Sequence, residues 1–138
     1  MVGETPTSAP ATSKPDRVDV SVPLRAAFAS TLRTLAASVG ADAGFSVDEL
    51  DDLRLALSEV FSVLVDAAPS DSRALVSIAV TPGELLVSIG SDQAEIVFEL
   101  DALAAGILQS VTDKYEIGPG SVEFSMRSTE LGAGPHRP

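Results

Sequence analysis

From Arg17 to Val22 the chain alternates, with Val18, Val20 and Val22 on one side, and this period of two predicts a strand. Pro23 then marks the opening of a helix that runs to about Val39, because Phe28, Leu32, Leu35 and Val39 recur at helical spacing. Gly40 is the expected stop. A second helix starts at a capping box formed by Ser46 and Glu49, carries Leu50, Leu53, Leu57, Val60, Phe61 and Leu64 as its apolar stripe, and ends before Pro69. Ala74–Val80 and Glu84–Ile89 are apolar runs flanking Thr81-Pro82-Gly83-Glu84, which predicts a hairpin whose glycine takes positive φ. Ala94–Glu99 reads as a further short strand. Leu100–Thr112 reads as a third helix, with Leu100, Leu103, Ile107, Leu108 and Val111 inward. Tyr115–Ile117 and Val122–Met126 read as a closing hairpin around Gly118-Pro119-Gly120. Helices grouped between hairpins point to an α+β fold, a two-layer sandwich with helices on one face of a mixed, mainly antiparallel sheet.

The folded part is expected over 17–128. Residues 1–16, rich in Pro, Thr and Ser, and residues 129–138, rich in Gly and Pro, read as flexible tails. The 138 residues suffice for one domain with a sizeable core, and a hydrophobic content of 45% is that of a folding sequence. Only 4% of residues are aromatic and none is Trp, so the core must be aliphatic and stacking platforms for bases are scarce.

Charge narrows the partners. Acidic residues outnumber basic ones 20 to 9, a formal net charge of −11, which repels a phosphate backbone and attracts a basic protein. Direct nucleic-acid binding is therefore not expected. The absence of Cys excludes disulfides and thiolate chemistry, and the lone His136, in the C-terminal tail, cannot build a His triad or a His-ligated metal site. No apolar run reaches the roughly 18 residues of a membrane span, and Met1–Pro15 has no apolar signal-peptide core, so no membrane partner and cytoplasmic residence are expected.

The candidate chemistry lies on the second helix. Glu59 can accept a proton or hold a cation, whereas Val63, four residues on and expected on the same face, can do neither. Glu59 reads equally well as a plain solvated helix carboxylate.

The element order, together with Leu53-Arg54-Leu55-Ala56-Leu57-Ser58-Glu59, resembles the anti-sigma factor kinases of the GHKL (Bergerat-fold) ATPase superfamily, the RsbW-like and SpoIIAB-like regulators, with the actinobacterial branch most similar. The resemblance covers about 17–128 and implies a Bergerat-like sandwich. It implies that Glu59 stands at the position of the family's catalytic base, and that Val63 replaces the Asn that holds Mg²⁺, a hard cation that requires oxygen ligands. Ser91 stands where the family has an adenine-reading Asp, unless a one-residue slip brings in Asp92. Ala102-Leu103-Ala104 replaces the phosphate-cradling Gly-x-Gly, and the segment 92–101 is short for an ATP lid.

The resemblance thus implies a vestigial Glu59, no bound cofactor or metal, and an anti-sigma factor that sequesters an alternative sigma factor and is released by an anti-anti-sigma (STAS-type) protein. Homodimers are common in the family. The alternative is a divergent serine kinase using ATP and Mg²⁺ to phosphorylate the anti-anti-sigma protein, with Asp52 or Asp66 supplying a ligand. The family's partner-contacting Arg corresponds to Arg33, which lies off the apolar stripe and is expected to be exposed, with Ser30, Thr34 and Ala37 around it as small residues that let a partner approach. Glu59 is expected to face the old pocket and Arg33 the partner surface.

Overall fold

The computed structural model describes residues 15–93 and 95–129. Most of both expected tails therefore lies outside the described residues, as do His136 and Ala94. The described elements are β1 (Asp16–Pro23), a single 3-10 turn (Ala26–Phe28), α1 (Ala29–Asp42), α2 (Val47–Ala67), β2 (Arg73–Thr81), β3 (Glu84–Ser91), α3 (Ala102–Val111), β4 (Lys114–Gly118) and β5 (Ser121–Arg127). The fold is α+β: three helices and a five-stranded sheet of order β1-β2-β3-β5-β4. Every strand pairing is antiparallel, so the expectation of a mixed sheet is corrected.

One sheet face carries the core. Val18, Ile78, Val87, Phe124 and Tyr115 form one cross-strand row of it, and Val20, Val76, Ile89, Val122 and Ile117 the next. The helices bring Leu32, Leu53, Leu57, Val60, Phe61, Leu64 and Leu108 to it, all 2% exposed or less. Burial of each such side chain contributes roughly 1.5–3 kcal/mol.

Helix α2 follows its sequence signals closely. Ser46 accepts from the Glu49 N–H at 3.1 Å, and the Glu49 carboxylate accepts from the Ser46 N–H at 2.8 Å, closing the capping box. Asp48 and Glu49 place negative charge at the positive end of the helix dipole. Pro69 follows the C-terminal end.

The first helix differs from expectation at both ends. Pro23 closes β1 instead of opening a helix, and helical backbone begins only with the 3-10 turn at Ala26. Gly40 is an interior residue of α1, not its stop. A Cβ there would lie 2.7 Å from Leu50 Cδ2 and 3.2 Å from Leu53 Cδ2, so glycine at 40 lets α2 pack closely against α1. The reversal falls to Gly44, whose φ of 96° is open to glycine at little cost.

Two further expectations are corrected. Residues 95–100 form no strand. In α3 the buried residues are Ala104 and Leu108, while Leu103 is 72% exposed, because the short helix presents a narrower face than its sequence suggests. No helix among the described residues is long and apolar enough to cross a membrane.

Candidate functional site

Arg33 is not a free surface cation. It is half-buried on the side of α1 that meets α2, and its guanidinium donates to the Ser58 hydroxyl at 3.3 Å. The α1–α2 packing that Gly40 permits brings these residues together across the helix pair.

Beside this bond lies a cavity of about 360 Å³, within the size range of ligand pockets. Ala26, Ala29 and Arg33 line it from the first helical segment; Ser58, Glu59, Phe61, Ser62, Val65 and Asp66 line it from α2. Phe61 and Val65 supply an apolar wall, Ser58 and Ser62 supply hydroxyls, and Glu59 and Asp66 supply carboxylates. Among the described residues neither carboxylate is ion-paired. With Arg33 the cavity carries a net charge of −1.

This geometry corrects the expected separation of faces. Glu59 and Arg33 line the same cavity. Val63 is not among its lining residues; Ser62 and Asp66, three and seven residues after Glu59, are. Of the other expected contact residues, Ser30 and Thr34 are exposed on α1 and Ala37 is half-buried. None of the three lines the cavity. Sequence reasoning passed over Ser58, Ser62 and Val65. Their i, i+4, i+7 spacing on the flank of the α2 stripe is the signal that marks a face turned toward a neighbouring helix.

The segments set against the nucleotide motifs are engaged locally. Ser91 ends β3, and its hydroxyl accepts from the Gln93 N–H at 2.8 Å. The Asp92 carboxylate accepts from the Arg73 N–H at 2.9 Å, and the Asp92 N–H donates to the Arg73 carbonyl at 2.9 Å. At the start of α3, Asp101 is the N-cap, and its carboxylate accepts from the Ala104 N–H at 2.8 Å. A carboxylate there satisfies one of the free N–H groups of the helix end and sets negative charge beside it.

Two titratable groups on α2 depart from ordinary behaviour. Burial pushes the Glu49 carboxyl up, but hydrogen bonds from the Ser46 N–H and from the Thr129 N–H and hydroxyl outweigh it and hold the group below the usual carboxylate range. Asp52 is shifted upward by partial burial and by the neighbouring charges of Asp48, Asp51 and Glu49. Among the described residues no group of three or more His, Asp or Glu side chains is arranged to hold a metal ion.

Compared with known proteins, the chain matches no family model and no curated protein.

Proposed function

We propose that the protein is an anti-sigma factor of the GHKL (Bergerat-fold) type, RsbW-like, that holds an alternative sigma factor away from RNA polymerase and yields it to an anti-anti-sigma (STAS-type) competitor. The observation that carries this reading is the Arg33–Ser58 bond. The bond holds Arg33 of α1, which the resemblance aligns with the family's partner contact, against α2 and beside Glu59. Arginine is a common interface anchor, and its guanidinium keeps further N–H donors beyond the one given to Ser58. The order of one strand, two helices, a hairpin, a helix and a hairpin agrees with the same reading. The net charge of −11 suits a partner whose DNA-binding surfaces are basic.

Mg-ATP does not fit the residues present. A nucleotide phosphate at the α3 N-terminus would meet the Asp101 carboxylate, which already takes the Ala104 N–H, and the side chains of Ala102 and Leu103. Asp92 spends its carboxylate on the Arg73 backbone, and Val63 offers no oxygen to a cation. The reading therefore contains no phosphoryl-transfer step, and Glu59 serves it as a groove carboxylate.

The test is affinity capture of the tagged full chain from its native cell, with recovered proteins identified by mass spectrometry. A sigma factor, displaced by a co-purifying STAS-type protein, is the expected result. Capture that yields neither class refutes the proposal. Micromolar binding of Mg-ATP to the purified protein would overturn its nucleotide-free part.

A further inference from the structure

A guanidinium and two carboxylates line one cavity of about 360 Å³, and they do not pair with one another. Arg33 gives one N–H to Ser58 and keeps its other donors. Among the described residues, the Glu59 and Asp66 carboxylates are neither ion-paired nor hydrogen-bonded. Asp66 also lies in the last turn of α2, which holds no basic residue and carries the negative end of the helix dipole. Its own helix therefore leaves this exposed carboxylate unneutralised. Opposite charges that stand apart in one cavity are matched by a ligand that carries both signs.

The charge pattern narrows the class of that ligand. An anion such as phosphate would satisfy Arg33 and oppose two carboxylates. A diamine would satisfy the carboxylates and oppose Arg33. A neutral molecule would leave all three charges unmatched. We infer that the cavity binds a free basic α-amino acid of the lysine or ornithine type. Its α-carboxylate lies on the Arg33 guanidinium, its α-ammonium on Glu59 and its side-chain ammonium on Asp66. One guanidinium and two carboxylates sum to −1, and the ligand's single net positive charge cancels it.

The dimensions agree. Asp66 follows Glu59 by two turns of α2, which sets the two positions about 10 Å apart along the helix axis. Extended lysine holds its two nitrogens roughly 7 Å apart, and charge-assisted hydrogen bonds of about 2.8 Å at the two ends complete the reach. Between the carboxylates, Phe61 and Val65 supply the apolar wall that the alkyl stem needs, and Ser62 adds a hydroxyl. Such a ligand needs no sigma factor in order to bind. The purified chain alone tests it, and it can fail without the anti-sigma reading failing, or the reverse.

Isothermal titration of the full chain with L-lysine, in about 0.15 M salt, is the experiment, and a Kd below about 1 mM is expected. L-norleucine lacks the side-chain ammonium, and cadaverine lacks the carboxylate; each is expected to bind at least about tenfold more weakly. Cadaverine is the discriminating probe. A chain of net charge −11 that merely gathers cations would hold this dication at least as tightly as lysine. Nα-acetyl-L-lysine, which mimics a lysine at the end of a peptide, is also expected to bind about tenfold more weakly, because Glu59 loses its ammonium partner. Asp66→Asn is expected to lose about tenfold toward L-lysine. Asp66 is exposed near the helix end, so that variant keeps the fold, with thermal unfolding as the control. Arg33→Gln is expected to erase the preference for L-lysine over cadaverine. No binding at about 10 mM L-lysine, equal affinity for cadaverine or for Nα-acetyl-L-lysine, or an Asp66→Asn variant that binds as the wild type does, overturns the assignment.

Discussion

Arg33 of α1 donates to the hydroxyl of Ser58 on α2 at 3.3 Å, and this bond keeps the guanidinium at the wall of the cavity that Glu59 and Asp66 also line. The bond is long and half-exposed, so it contributes at the low end of the roughly 0.5–1.5 kcal/mol typical of hydrogen bonds. Its main effect is positional. A cation and two carboxylates are held within one groove.

Under the proposed anti-sigma function, Arg33→Glu is therefore expected to weaken sigma-factor binding by about tenfold or more, since it removes the guanidinium that would anchor the partner. Glu59→Ala is expected to weaken it as well, because the same groove presents both side chains. Isothermal titration of the two single variants and the double variant checks this. Coupling above about 0.5 kcal/mol is the expected signature of two residues that meet one contact surface. Additive losses would assign them to separate surfaces.

Two glycines should respond to alanine in opposite directions. At Gly90 a Cβ would lie 2.7 Å from Ser121 Cβ and 3.0 Å from the Gly120 carbonyl oxygen, so β3 and β5 would have to separate locally. Gly90→Ala is expected to destabilise by about 1–3 kcal/mol. Gly106 is exposed within α3, with nothing within 4 Å of an added Cβ. Gly106→Ala is expected to stabilise by about 0.5–1 kcal/mol through helix propensity. Urea denaturation of both variants provides the measurement.

The pattern of the sequence made the elements of this fold legible where local chemistry decides them. Ser46 and Glu49 announced the start of α2, and Gly83 the β2–β3 turn, because a cap and a positive φ are local requirements. Gly40 misled for the same reason. Glycine suits both a helix stop and a close helix crossing, and only the packing of Leu50 and Leu53 distinguishes the two. The candidate site was half legible. Glu59 and Arg33 stand out by residue type, but their meeting depends on how α1 lies against α2, which no spacing within either helix specifies.

Glu49 and Asp52 should give opposite pH dependences. The Glu49 carboxyl is held below its ordinary range in the folded chain, so its contribution is present above the unfolded value and is lost as pH falls through the folded one. Glu49→Gln is expected to lower stability at pH 7, with the deficit shrinking as acid protonates the wild-type group. Asp52 is raised, so its charged form opposes folding at neutral pH and its protonation in acid relieves this. Asp52→Asn is expected to stabilise at pH 7, with the gain vanishing below the ordinary carboxylate range. Thermal unfolding from pH 3 to pH 7 reads both; curves of the same sign for the two variants would contradict the hydrogen-bond assignment at Glu49.

Under the proposed GHKL kinship, Asp101 and Val63 together predict what it takes for this fold to hold a nucleotide. Val63→Asn supplies the oxygen ligand that a magnesium ion needs on α2, but it leaves the α3 N-terminus held by the Asp101 carboxylate. Asp101→Ser keeps a capping oxygen for the Ala104 N–H while removing the charge, so its cost to stability should stay within about 0.5 kcal/mol. Neither change removes the side chains of Ala102 and Leu103 from the first turn of α3. Each single variant and the pair are therefore expected to bind Mg-ATP no tighter than about millimolar, since the pair restores two polar contacts without the backbone approach that phosphate binding uses. Replacing Ala102 and Ala104 with glycine in the same background opens that approach, and it is the first variant in which tighter binding is expected. Fluorescent-nucleotide titration across the series measures this. Micromolar affinity already in the Val63→Asn variant would show that the α3 terminus was never the obstacle.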